Sequence, residues 1–158
     1  MIYRGVLYMF KRILIATDGS KPSEHAAKVG VDLAGLTGGM ITAVYVADKG
    51  RILENVDESG IELAKDVTDG TRLGLQKEGQ MATRYVEELA KASGVGIETK
   101  VVVGNPAEAI LKSAEENHMD AIVIGSIGRT GLSKFLLGSV AEKVVRNSKI
   151  PVILIPVA

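Results

Sequence analysis

Five short runs of apolar, largely β-branched residues recur along the chain, at 12–17 (RILIAT), 40–47 (MITAVYVA), 97–103 (IETKVVV), 121–125 (AIVIG) and 151–157 (PVILIPV). The first, fourth and fifth are almost unbroken, as strands covered on both faces of a parallel sheet are. The third sets Glu98 and Lys100 against Ile97 and Thr99, which predicts a more exposed beginning. Between the runs the apolar period lengthens. Residues 23–36 place Ala26, Ala27, Val29, Gly30, Leu33 and Ala34 on one helical stripe. Asp18, Ser20 and Ser23 suit its cap, Pro22 suits its first turn, and Gly38 with Gly39 suits its end. A second helix is predicted over 82–92, its pattern reaching back toward Asp66. A third covers 107–117, opened by Pro106 with Ala109, Ile110 and Ala114 inward. A fourth covers 140–147 with Val140, Val144 and Val145 as its apolar face.

Strands alternating with helices predict an α/β fold: a single doubly wound domain with a five-stranded parallel sheet, helices on both faces and right-handed crossovers, Rossmann-like in outline. The domain is expected over residues 10–158, preceded by a loose extension at 1–9 and a native start near Met9. Residues 48–77 are the least patterned, with Gly50, Gly60, Gly70 and Gly74 scattered among charges. They read as a long, partly helical excursion within a variable region at 48–80, either a lid or partner surface or a solvated connection.

Composition narrows this picture. At 158 residues the chain is one domain on the scale of about 100–200 residues each. Lys and Arg number 19 and so do Asp and Glu, which gives no support to a nucleic-acid or anionic-membrane partner. Cysteine is absent, which excludes disulfides, thiolate catalysis and Cys-held metals, and agrees with a cytoplasmic location. No apolar run reaches the roughly 18 residues that span a bilayer.

Candidate chemistry sits where loops leave the carboxyl ends of the strands. The loop after the fourth run reads Gly125-Ser126-Ile127-Gly128-Arg129-Thr130-Gly131, and continues to Gly138-Ser139 at the start of the fourth helix. Gly125 and Gly128 can bring bare backbone close to a ligand or take positive φ. The N–H groups and positive dipole end at Ser139 and Val140 favour a phosphate, and Arg129 adds a mobile charge. Asp18 ends the first strand, where a carboxylate can accept ribose hydroxyls; it equally suits a turn or a helix cap.

The spacing Gly125-x2-Gly128-x9-Gly138-Ser139 resembles the ATP-binding signature of the universal stress protein family. So do residues 13–20 (ILIATDGS) and 103–106 (VGNP), and the likeness covers about residues 10–157. The resemblance implies a bound ATP, carrying Mg²⁺ or Mn²⁺ on its phosphates. Ala16 and Val46 are then expected beside the adenine, Asp18 and Gly125 at the ribose, and Gly128, Gly138, Ser139 and Val140 at the phosphates; Thr17, Ile124 and Arg129 complete the expected binding set. Ile127 departs from the pattern, since many ATP-binding members carry a polar residue there, often His; an Ile cannot donate to a phosphate. There is no Gly-x4-Gly-Lys-Ser/Thr loop and no Gly-x-Gly-x-x-Gly, and His25 and His118 lie on separate helix patterns without metal-ligand spacing.

The function expected is that of an ATP-binding stress-response regulator, a nucleotide-dependent conformational or partner switch. It is expected to work as a homodimer paired through the C-terminal strand, with an unidentified protein partner, and no catalytic residue is assigned. Two alternatives stand beside it: a slow metal-dependent ATP hydrolase or nucleotide transferase, and a structural stress dimer without nucleotide.

Overall fold

The computed structural model describes residues 9–53, 61–127 and 136–157, and for residues 53 and 61–68 the backbone alone. Residues 1–8 of the expected extension, 54–60 of the excursion, and Gly128 and Arg129 of the glycine loop therefore lie outside the described residues. The elements run β1 (Arg12–Ala16), α1 (Lys21–Thr37), β2 (Met40–Asp48), α2 (Lys49–Leu53), α3 (Ile61–Ala92), β3 (Gly96–Gly104), α4 (Pro106–Glu116), β4 (Ala121–Gly125), α5 (Ser139–Asn147) and β5 (Val152–Ile155).

All five strands are parallel, in the order β3-β2-β1-β4-β5. The chain thus starts in the middle, builds outward through β2 and β3, then returns to the other side of β1. The switch point lies between β1 and β4, where the loops at their carboxyl ends part to opposite faces and leave a crevice. Strand alternation distributes the core between two layers. Ile13, Ile15, Ile41, Ala43 and Val123 pack under α1 and α3 with Ala26, Ala27, Val31, Ala34, Val86 and Ala90. Leu14, Ala16, Val44, Ile122 and Ile124 face the other way, against Ala107, Ile110 and Ala114 of α4 and Ala141 and Val144 of α5. A third cluster joins Tyr45, Ala47, Ile52, Leu75 and Ala82 near the end of β2, so α2 and α3 share a small core of their own.

The caps follow the sequence signals. Ser20 is the N-cap of α1 and accepts from the Ser23 N–H, Pro22 stands in the first turn, and Gly38 closes the helix in the left-handed conformation. Asn105 caps α4 in the same manner, accepting from the Glu108 N–H, with Pro106 next to it.

Two expectations are corrected. The second predicted helix, 82–92, is the last third of a 32-residue helix that begins at Ile61. Gly70 and Gly74 interrupt the sequence signal without ending the helix, and among the described residues a Cβ on either would meet nothing within 4 Å. Helix packing is instead fixed at Gly79, where β2 and β3 come closest. In α5, Val145 is 44% exposed rather than part of the inward face, which rests on Ala141 and Val144 with Val140 half-buried.

Candidate functional site

A cleft of about 310 Å³ opens at the switch point. Ala16, Thr17 and Asp18 enter it from the end of β1, Val44, Tyr45 and Val46 from β2, Ile124 and Gly125 from β4, and Gly138, Ser139 and Val140 from the start of α5. Nine of the eleven residues singled out in the sequence therefore line one cavity, although they come from four separate stretches of chain; the remaining two are Gly128 and Arg129.

Its floor is built at the end of β1. The Thr17 N–H donates to the Val44 carbonyl at 3.0 Å, so the chain stays in sheet register one residue beyond β1. Asp18 then turns the backbone toward α1: its Oδ1 accepts from the Ser20 N–H at 2.9 Å, leaving Ser20 as the helix cap. The turn role weighed for Asp18 is therefore present, and the same residue lines the cleft. Beneath it, the buried hydroxyls of Thr17 and Ser23 share a hydrogen bond of 3.2 Å, and Ser23 Oγ donates to the Ser20 carbonyl at 2.9 Å.

The opposite wall is the start of α5. Its N-cap is Gly138 (φ −60°, ψ 146°), and no side chain caps the helix. The amides of Ser139, Val140 and Ala141 have no acceptor within their own helix, since the first intrahelical bond to be made runs from the Glu142 N–H to the Gly138 carbonyl at 2.9 Å. In α1 and α4 one such donor is satisfied by the cap side chain, Ser20 or Asn105. A Gly at this place supplies no cap acceptor, so among the described residues these three N–H groups are without one, at a positive helix end that lines the cavity and suits an anion. Backbone bonds fix the wall: Ser126 N–H donates to Ile155 O at 2.8 Å and Gly138 N–H to Ser126 O at 2.7 Å, so the loop's two ends are tied together and to β5.

Gly125 serves a purpose other than the positive φ allowed for it. Among the described residues, left-handed glycines are Gly19, Gly38 and Gly94 only. A Cβ on Gly125 would instead lie 3.3 Å from both the Ile127 and Pro22 carbonyl oxygens, so its bareness lets β4 and α1 approach each other at the cleft floor. Ile127 is half-buried and lines the cleft, adding apolar wall where a donor would otherwise stand.

Sequence reading missed Ser23, Asp48, Arg51, Pro106 and Ile110, which also line the cavity. Ser23 and Pro106 were legible as helix openers, and both helices open at the carboxyl edge of the sheet. Asp48 and Arg51 carried no pattern: α2 is five residues long, and Ile52 is the buried one among its described residues. The lining is polarised. Val44 and Val46 of β2 with Pro106 and Ile110 of α4 give an apolar stretch edged by Asp48 and Arg51, Asp18 stands just beyond β1, and the start of α5 lines the side beyond β4. Among the described residues no group of three or more His, Cys, Asp or Glu is placed to hold a metal ion, and no helix is long and apolar enough to cross a membrane.

Comparison with known proteins agrees with this architecture. The sequence model of the universal stress protein family matches residues 9–156. Universal stress protein MJ0531 of Methanocaldococcus jannaschii is 37% identical over 154 residues, covering 98% of this chain and 86% of that protein. The solved structure of MJ0577, from the same organism, superposes with a TM-score of 0.81 at 29% identity and covers 95% of this chain and 98% of its own. A universal stress protein from Archaeoglobus fulgidus, solved in complex with dAMP, has a TM-score of 0.62 at 22% identity over 94% of this chain and 98% of its own, a likeness of fold.

Proposed function

The chain belongs to the universal stress protein family, and from that premise we propose that it binds ATP in the switch-point cleft and works as a nucleotide-dependent switch. The observation that carries this reading is the uncapped start of α5. Three backbone donors and a helix dipole face the cavity with no side chain of their own cap to satisfy them. The polarity of the lining then orients the ligand. The adenine lies at the apolar end among Ala16, Val44, Val46 and Ile110, and the ribose hydroxyls donate to Asp18. The phosphates accept from Ser139, Val140 and Ala141, with Gly128 and Arg129 completing the seat. The dAMP of the Archaeoglobus fulgidus structure illustrates that this fold accommodates an adenine nucleotide. Mg²⁺ or Mn²⁺, when present, rides on the phosphates and water, in keeping with the few protein ligands that Mg²⁺ usually takes.

The protein is further read as a cytoplasmic homodimer paired along β5. This strand is a sheet edge, and an apolar edge needs pairing or cover. Leu154 and Val157 on that side, and Val145 on α5, which packs against β5, are 36%, 41% and 44% exposed. Binding rather than turnover is the function assigned, because the bound phosphates are held by backbone amides, which neither abstract a proton nor position a water as a general base does.

Isothermal titration tests the nucleotide assignment. ATP is expected to bind with one site per chain, and replacing Gly138 by Val, which narrows the approach to the α5 amides, is expected to abolish binding. Absence of heat at millimolar ATP in the unaltered protein would refute the reading.

A further inference from the structure

The β2 side of the cleft is lined by a charged side chain that the glycine–serine signature does not contain. Arg51 lies on α2, immediately after β2, and lines the cavity beside Asp48. Its neighbour Ile52 is 2% exposed and locks α2 into the cluster formed with Tyr45, Ala47, Leu75 and Ala82, so the backbone carrying Arg51 is fixed. The guanidinium has a partner as well. Its Nη1 lies 3.5 Å from Glu78 Oε2 on α3, and that same oxygen accepts from the hydroxyl of Tyr45, a residue 3% exposed. A buried phenol thus holds a carboxylate on α3, and the carboxylate holds a cation at the rim, with the Arg51 side chain still 48% exposed. An ion pair at this exposure adds little to stability by itself, so stability alone does not account for the arrangement.

We propose that Arg51 is the residue that closes the base end of the cleft, its planar guanidinium covering the open face of the bound nucleobase, and that Tyr45 and Glu78 are its positioning residues. This inference rests on the nucleotide reading above and adds what holds the base. The sequence of strands along the sheet supports it. Phosphate donors leave β4, the ribose-facing carboxylate leaves β1, and Arg51 leaves β2, so Arg51 stands at the far end from the phosphates. The walls Val44, Val46, Pro106 and Ile110 supply apolar surface for one side of a flat ring but no partner for its quadrupole; a guanidinium supplies one, and stacks where an ammonium does not. Since Glu78 belongs to α3, an occupied cleft also gains a direct link to the long helix.

Titration of adenosine and ATP against Arg51→Ala, Arg51→Lys, Glu78→Gln and the Arg51→Ala/Glu78→Gln double variant tests the proposal. Arg51→Ala is expected to weaken adenosine and ATP by the same factor, about threefold to tenfold, because the contact is to the base. Arg51→Lys is expected to restore little of the loss. Glu78→Gln is expected to weaken both ligands in the unaltered background and to add nothing in the double variant. Thermal midpoints of the four proteins confirm that each is folded. A loss confined to ATP would place Arg51 on the phosphates and overturn the assignment. Unchanged affinity for both ligands, with binding by the unaltered protein intact, would overturn it while leaving the nucleotide reading standing. Failure of the unaltered protein to bind either ligand would instead overturn the reading beneath it, and this inference with it.

Discussion

Asp18 shapes a turn, and under the proposed function the same carboxylate also receives the ribose; the two roles can be separated by a single atom. Its Oδ1 shapes the turn by accepting from Ser20, a role that an amide oxygen performs equally well. Accepting ribose hydroxyls is favoured by charge, and hydrogen bonds to charged groups are worth about 1.5–3 kcal/mol against roughly 1 for neutral ones. Asp18→Asn is therefore expected to leave the thermal midpoint nearly unchanged while weakening ATP about tenfold, and to weaken 2′,3′-dideoxy-ATP much less. Equal losses for the two nucleotides, measured by titration, would remove Asp18 from the ribose. At this scale the site was largely legible. Asp18 and the glycine–serine frame announce themselves because each ends or begins an element at the carboxyl edge of the sheet. Asp48, Arg51 and Ile110 do not, since nothing in a five-residue helix or a helix's apolar stripe marks a residue as facing a cavity rather than solvent or core.

Among the elements, α3 is where local signals and tertiary packing diverge. Glycines at 70, 74 and 79 all argue against a helix, at about 0.5–1 kcal/mol each relative to Ala. The helix nonetheless runs through them, for different reasons. A Cβ on Gly70 or Gly74 would meet nothing within 4 Å among the described residues, whereas one on Gly79 would lie 2.6 Å from Tyr45 Cδ1 and 2.9 Å from Val101 Cγ1. Gly79 is thus the point at which α3 rests directly on β2 and β3, and its bareness sets the height at which Glu78 meets Tyr45 and Arg51. Gly74→Ala is expected to raise stability by about 0.5–1 kcal/mol, and Gly79→Leu to lower it by about 1–3 kcal/mol through overpacking. For a chain of this size each kcal/mol moves the midpoint by about 2–4 °C, within reach of calorimetry. Equal behaviour of the two variants would mean that α3 does not bear on the sheet at Gly79. Beside α3, the sheet and the caps of α1 and α4 were plain in the sequence, because near-continuous apolar runs, Ser20, Gly38 and Asn105-Pro106 are local signals that agree with the fold around them.

At the scale of the whole molecule, one end of the sheet gathers the ligand site and one side gathers the exposed apolar edge. β4 touches both: its last residue, Gly125, floors the cleft, and Ile124 and Gly125 pair with Leu154 and Ile155 of β5. The Ser126 amide bonded to Ile155 O continues that link into the glycine loop. A dimer formed along β5 would therefore sit one strand away from the cleft, which would give a binding event at the loop a short route to the interface. Leu154→Lys is expected to convert a dimer at micromolar concentration into a monomer by sedimentation, since a charge on an edge strand opposes pairing. A monomer for the unaltered protein would remove β5 pairing from the account. The sheet order that makes this route possible could not be read from the strands alone, because five apolar runs are compatible with several parallel orders until their packing is seen.

The account as a whole turns on the three backbone amides that open α5. Amide ¹H–¹⁵N spectra recorded during an ATP titration address them directly. Ser139, Val140 and Ala141 are predicted to show the largest downfield proton shifts in the protein, saturating with ATP and much smaller with adenosine. If ATP binds and these three resonances stay in place, the phosphates rest elsewhere and the assignment of the cleft is contradicted.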